Sequence, residues 1–203
     1  MVEMRPLRGW RFAASATEDL GLRLAPPYDV ISPQRRQVLA SRHPHNIVHL
    51  DLPNEAAGDD RYARAAARFR RWQVEEVLVR EAKPALYVLE QSFQLAAGRR
   101  LTRTGLIGRL LVVPWGEGVL PHERTFPHAK ADRLALLAAT RAEFNPVFFL
   151  YSDPLGEVLA PLAEVRRQPP AAISHGDDSV DRLWTVTDPQ VIAAALSRLA
   201  PRT

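Results

Sequence analysis

Between Val119 and Arg133 the chain reads Val-Leu-Pro-His-Glu-Arg-Thr-Phe-Pro-His-Ala-Lys-Ala-Asp-Arg, and a leucine-rich run follows to Arg141. These fifteen residues hold two histidines, two acids, two arginines, a lysine and a threonine. Glu123 is a candidate general base or magnesium ligand, and His122 a candidate proton-transfer partner or oxyanion donor. Arg124 and Arg133 have the planar fork that grips phosphate or carboxylate oxygens. Lys130, one of two lysines in an arginine-rich chain, offers a point charge for phosphate. Thr125, Asp132 and Arg141 complete the candidate ligand-binding set of this stretch. A salt-bridged loop capping the next helix would use the same residue types.

A second candidate is Pro26-Pro27-Tyr28-Asp29. Adjacent prolines stiffen the backbone, so Tyr28 and Asp29 would stand on a rigid turn, either as a pocket wall or as packing and capping groups. His43, His45 and His49 have the wrong spacing for one helix face, and Pro44 would scatter their rings, which argues against a metal site.

These groups need elements to position them. Ser32-Pro33, Asp153-Pro154 and Asp188-Pro189 each pair a capping side chain with a proline suited to the first helical position. They predict helices over 33–42, from 154 and over 189–199. Tyr62, Ala66, Phe69 and Trp72 recur at helical spacing and predict an amphipathic helix over about 60–77. Residues 86–95 alternate with period two, turn near Ala97-Gly98 and return along 101–113 as a long hairpin. Further strands are expected at 5–12, 46–52, 171–174 and 183–187, and a strongly apolar core strand at 145–152. A helix over about 131–141 would place Lys130 to Arg133 at its N-terminus, where an anion is favoured. The expected fold is α+β, a mostly antiparallel mixed sheet built round the hairpin at about 86–113 with helices packed on it, and 1–203 form a single domain.

Composition narrows the function classes. At 203 residues, 46% hydrophobic and 25% charged, the chain has globular proportions. It has no apolar run of membrane-spanning length and no cysteine for disulfides, thiolate catalysis or cysteine-based metal centres. A cytoplasmic protein is the simplest fit. The net charge of +4 comes from scattered arginines rather than a basic block, which argues against a nucleic-acid surface. Phosphate-binding loop, dinucleotide, nucleophile-elbow and zincin motifs are absent.

The segments Met4-Arg-Pro-Leu-Arg-Gly-Trp-Arg11, Ala25-Pro-Pro-Tyr-Asp-Val-Ile-Ser32, Asn46-Ile-Val-His-Leu50, Leu120-Pro-His-Glu-Arg-Thr125, Lys130-Ala-Asp-Arg133, Ala139-Thr-Arg-Ala142, Asn145-Pro and Tyr151-Ser-Asp153 occur in an order that resembles the domain of unknown function 1015 family. Members are longer, and their second half carries an Asp-Gly-His-His-Arg motif similar to that of ParB-related kinases of free serine. Their genes often lie near serine-biosynthesis genes. The resemblance therefore implies phosphotransferase (kinase)-like chemistry on a small phosphorylated or hydroxylated metabolite such as serine, with magnesium and a nucleotide as the implied cofactors. Asp-Gly-His-His-Arg does not occur here. On this reading the chain is the N-terminal portion of a longer protein, or a short form working with a partner chain, and holds half of a composite site. The alternative is a non-catalytic ligand-binding or protein-interaction domain.

Overall fold

The computed structural model of the protein describes residues 3–13, 20–55, 60–95, 98–121, 124–176 and 179–199. In chain order its elements are β1 (Met4–Arg5), β2 (Trp10–Phe12), α1 (Pro33–Arg42), α2 (Val48–Asp51), α3 (Arg61–Val74), β3 (Leu78–Arg80), β4 (Leu86–Gln94), β5 (Arg100–Ile107), β6 (Arg109–Leu110), α4 (Pro127–Thr140), α5 (Ala163–Arg167), β7 (Ala172–His175), β8 (Ser179–Val186) and α6 (Pro189–Leu196). Helices and antiparallel strands make it α+β. Two compact units divide the chain. One comprises residues 1–11, 80–123 and 149–203; the other comprises 12–79 and 124–148. Strands β2 and β3 pair with each other.

The first unit is built on the antiparallel sheet β5-β4-β8-β7. The expected hairpin is there, with Tyr87 opposite Ile107 and Gln94 opposite Arg100. Its second arm ends earlier than position 113. Gly108 interrupts it, and Arg109–Leu110 pairs with β1 instead. A Cβ at Gly108 would stand 3.0 Å from the Arg5 carbonyl oxygen and closer still to Met4 and Leu86, so a larger residue there would force these neighbours to shift. Leu86, Val88, Trp184 and Val186 of the sheet bury themselves against Leu162 and against Ile192 and Ala195 of α6. Asp188 caps α6 by accepting from the Gln190 amide at 2.8 Å, as its Asp-Pro sequence predicts.

Asp153-Pro154 behaves differently. The Asp153 carboxylate accepts from the amides of Glu157 and Val158 at 2.9 and 3.1 Å, and Gly156 turns left-handed at φ 67°. The cap therefore closes a turn rather than opening a helix, and helical structure begins only at Ala160. Residues 146–151 also depart from expectation. They form no strand, and Val147, Phe148 and Leu150 are 70%, 67% and 87% exposed. Apolar character alone does not supply a neighbouring strand to pair with. The expected first strand over 5–12 is split into β1 and β2, with Leu7 bridging to Ala85 between them.

The second unit is helical. Ser32 caps α1 through the Arg35 amide at 3.2 Å, and Asp60 caps α3 through the Tyr62 amide at 2.8 Å. The α3 face predicted from spacing is buried at Ala66, Phe69 and Trp72. Phe69 and Trp72 share a core with Leu50 and Leu78, and Phe144 meets Phe69 edge-on at 5.2 Å. Residues 46–52 are not the expected strand. Asn46 is fully buried; its amide donates to the carbonyls of Leu22 and Leu24 at 2.8 and 2.9 Å, and its oxygen accepts from the Val48 amide at 3.0 Å. Those bonds turn the chain into α2, overriding the strand propensity of Ile47 and Val48. Helix α4 starts at Pro127, four residues before the expected 131, because proline suits the first helical position.

Candidate functional site

Every contact of the charged cluster described below lies in the second unit. Arg133, in the second turn of α4, donates from its terminal nitrogens to Asp51 at 2.8 Å and to Asp132 at 2.5 Å, and from Nε to Asp132 at 2.9 Å. Its guanidinium lies over the Tyr28 ring, 4.0 Å from the centroid. The other oxygen of Asp132 accepts from Arg61 at 2.6 Å and from the Tyr62 hydroxyl at 2.8 Å. Arg61 reaches on to Glu55 at 3.1 Å. Two carboxylates, two guanidiniums and two phenols thus meet from four stretches of chain: the turn after Pro26-Pro27, α2, the start of α3, and α4.

Local sequence explains how each arrives. Pro27, extended at φ −52° and ψ 141°, leads into a single helical turn over Tyr28–Val30 that carries the phenol. The Asn46 bonds set the α2 turn, and Asp51 closes it. The Asp60 cap starts α3, so Arg61 and Tyr62 occupy its first turn. Helix packing of α3 against α4 brings them to Asp132.

The two carboxyls are tuned in opposite directions. Asp51 is raised above the usual carboxylate value: burial favours its neutral form and outweighs the Arg133 charge and hydrogen bond. Burial also acts to raise Asp132, but hydrogen bonds from Arg133 and Tyr62 and the charges of Arg133 and Arg61 prevail and hold it below the ordinary value. The cluster is charge-balanced, and Arg133 is committed on two sides. Its cation-on-ring contact with Tyr28 adds a third restraint.

Of the residues singled out from sequence, Tyr28, Asp132 and Arg133 are brought together here. Arg124, Thr125, Lys130, Asp29 and Arg141 are exposed. Arg141 ends α4 in the left-handed conformation, φ 53°, its amide donating to the Leu137 carbonyl. Arg133 sits inside α4 rather than at its N-terminus, because the helix begins at Pro127. His122 and Glu123 lie outside the described residues. The first turn of α4 has Phe126 at its cap position, a side chain that makes no capping hydrogen bond.

Residues 4–203 match the family described as protein of unknown function (DUF1015). The chain belongs to that family. No curated protein and no solved structure matches it. Membership assigns no reaction. It does cover both units, including every member of the Asp132–Arg133 cluster.

Asp51, Arg61 and Tyr62 were not among the candidates from sequence. Asp51 ends a stretch whose apolar residues suggest a strand, and Arg61 and Tyr62 read as helix residues. Arg61 and Asp132 are 71 positions apart, and no local pattern announces such a pair. Their one shared signal is indirect: a basic residue beside a tyrosine immediately after an Asp cap. Among the described residues no helix is long and apolar enough to cross a membrane, and no cluster of three or more acids and histidines could hold a metal ion.

Proposed function

We propose that the chain is the phosphate- or phosphometabolite-binding part of a phosphotransferase (kinase)-like enzyme acting on a small hydroxylated metabolite such as serine. The observation that carries this reading is the uncapped start of α4. Pro127 has no N–H, and the cap position is Phe126, whose side chain offers the next amides no acceptor. Arg124 and Thr125 lie just before them and Lys130 just after. A helix N-terminus with cations at its approach favours an anion.

On this reading the Asp132–Arg133 cluster is the frame. It ties α4 to α2, α3 and the Tyr28 turn, so that the first turn of α4 is held fixed before ligand arrives. Arg133 and Asp132 act by positioning, since their bonds are used within the protein. Phosphate contact falls to Arg124, Thr125, Lys130 and the helix amides. Glu123 and His122, next to them in sequence, are the acid–base candidates. Magnesium and a nucleotide would supply the remaining charge and the phosphoryl group.

The test is a thermal-unfolding screen of the chain with phosphoserine, serine, and ADP or ATP with magnesium. Phosphoserine at about a hundred times its dissociation constant stabilises by about 2.7 kcal/mol. Lys130→Ala and Arg124→Ala should remove that shift while the unliganded melting temperature stays put. No shift with any ligand rejects the reading.

A second reading, a protein-interaction domain, draws on the exposed apolar side chains. Val112, Trp115 and Leu120, all in the first unit, are 95%, 69% and 79% exposed. Side chains of this size left uncovered are a common mark of docking surfaces. It calls for a measurement of self-association by sedimentation over a wide concentration range, and for comparison with Val112→Glu.

A further inference from the structure

The three histidines whose spacing argues against a metal site stand at the connection between α1 and α2. His43 follows the last residue of α1 in an extended conformation, φ −157° and ψ 139°. Its ring nitrogen Nδ1 accepts from the His45 backbone amide at 2.9 Å, and its carbonyl accepts from the Asn46 amide at 3.0 Å. The His45 ring lies 5.3 Å from that of His43 and meets the Trp72 indole edge-on at 5.4 Å. His49, one turn on, borders a cavity of about 320 Å³ together with Arg36, Arg64 and Arg68.

The bond from the His45 amide has a proton condition. An imidazole nitrogen accepts only while it carries no hydrogen of its own, and the imidazolium offers two donors and no acceptor. Protonation of His43 would therefore set one N–H against another across 2.9 Å. What that bond braces matters to the whole unit. The turn delivers Asn46, whose side chain holds the Leu22 and Leu24 carbonyls and the Val48 amide. Helix α2 follows directly and ends at Asp51, the partner of Arg133. The charged groups that act on the three rings are Arg23 on His43, Arg23, Arg71 and Glu75 on His45, and Arg68 and Arg36 on His49. Glu75 is the one acid in that set, and Arg71 pairs with it at 3.6 Å. Burial and then Arg23 lower His43; burial is also the leading cause for His45 and His49. His49 differs in that its bonds to the backbone of Ala40 and His43 favour its protonated form, so it keeps them on charging.

We propose that His43 is an acid-sensitive latch on the α1–α2 turn. Neutral, it holds the His45 amide and fixes Asn46; protonated, it releases that amide and loosens the start of α2. It acts by positioning, through Asn46, and its release reaches the Arg133 network through Asp51. The latch stands whether or not the start of α4 binds phosphate. Its pH sense follows from the lowered folded value of His43. The stabilisation is complete above the unfolded value of about 6.5 and is lost as pH falls through the folded one.

The test is hydrogen exchange of the full chain, followed by NMR from about pH 7.5 to about pH 5, either side of the ordinary histidine value, and corrected for intrinsic exchange. Protection of the His45, Asn46 and Val48 amides should fall about tenfold across that range, the loss of one hydrogen bond whose donor is left unpaired. His43→Asn supplies an oxygen that accepts from the amide two residues on and does not titrate, so its protection should stay level. His43→Leu has no acceptor and should be poorly protected throughout. The carboxyls around Arg133 titrate in parent and His43→Asn alike, so the comparison isolates His43. Level protection in the parent would overturn the proposal, and so would a fall in His43→Asn equal to the parent's. Full protection of His43→Leu near neutrality, or a His43 ring that titrates above the ordinary histidine value, would overturn it as well.

Discussion

The cluster around Arg133 sets two guanidiniums against two carboxylates at 2.5–2.8 Å, whereas the cavity lined from α1, α2 and α3 sets the guanidiniums of Arg36, Arg64 and Arg68 beside one another, with His49 and Glu55. Both lie in the same compact unit. Each draws on α2 and α3, and Glu55 borders the cavity while bonding the Arg61 of the cluster. The contrast separates two uses of buried charge. A satisfied network spends its charge on joining segments of chain and has little left for a ligand. Like charges set side by side act against one another instead, as Arg64 and Arg68 do on Arg36.

The largest test of that contrast is Arg133→Met. It removes the cation from Asp51, whose side chain is only 8% exposed, and from one side of Asp132. Breaking a buried pair from one end typically costs about 3–5 kcal/mol. Urea denaturation at pH 7, with hydrogen exchange of α3 and α4 to locate the loss, should show a fall of that order. A variant as stable as the parent would mean that the network joins nothing. Tyr62→Phe is milder. It deletes one hydrogen bond to an ionised, partly buried Asp132, and about 1–2 kcal/mol should be lost.

Acid should resolve the two carboxyls within the network. Asp132 is held below its unfolded value near 3.9, so the stability it contributes is complete above that pH and is lost as pH falls through its folded value. Asp51 has the opposite sign. Its folded value is raised, so its ionisation costs stability above that value, and the cost fades as pH falls towards the unfolded one. Acidification from neutrality should therefore be offset at first by Asp51 and turn destabilising below about pH 4. Each group limits the slope to about 1.4 kcal/mol per pH unit. Asp132→Asn should flatten the acid fall and Asp51→Asn the offset before it, in denaturation midpoints measured from pH 3 to 7. Identical profiles for both variants would contradict the opposed tuning.

What can be read along the chain here is what local chemistry decides. Ser32-Pro33 and Asp188-Pro189 cap helices because the hydroxyl or carboxylate bonds amides two or three residues on, and the 86–107 hairpin follows from alternation and a turn. Asp153-Pro154 has the same two residues, yet Gly156 diverts it into a turn. Asn46 misleads for a longer-range reason: carbonyls 22 and 24 positions away claim its amide and turn an apparent strand into α2. The candidate site follows the same rule. Tyr28, Asp132 and Arg133 stand out by type and setting, whereas Asp51, Arg61 and Tyr62 acquire meaning only when α3 packs on α4. The arginines at 36, 64 and 68 look like solvated helix positions until α1, α2 and α3 surround one hollow with them.

The smallest expected effect sharpens the comparison most. Arg68→Gln removes a charge on which burial and the neighbouring cations Arg71 and Arg64 act. Among the described residues no ion pair is broken, so the loss that follows Arg133→Met has no counterpart here. Relief of repulsion offsets the lost packing of the arginine stem, and the net change without ligand should stay within about 0.5 kcal/mol. Salt should separate the two sites further. Raising ionic strength screens the repulsion around Arg68, so the parent should gain on the variant as salt increases, while the more buried Arg133 pairs respond weakly. A fall of several kcal/mol in Arg68→Gln, measured by urea denaturation in low and high salt, would show that Arg68 holds the fold together as Arg133 does, and the distinction between a paired network and a group of like charges would collapse.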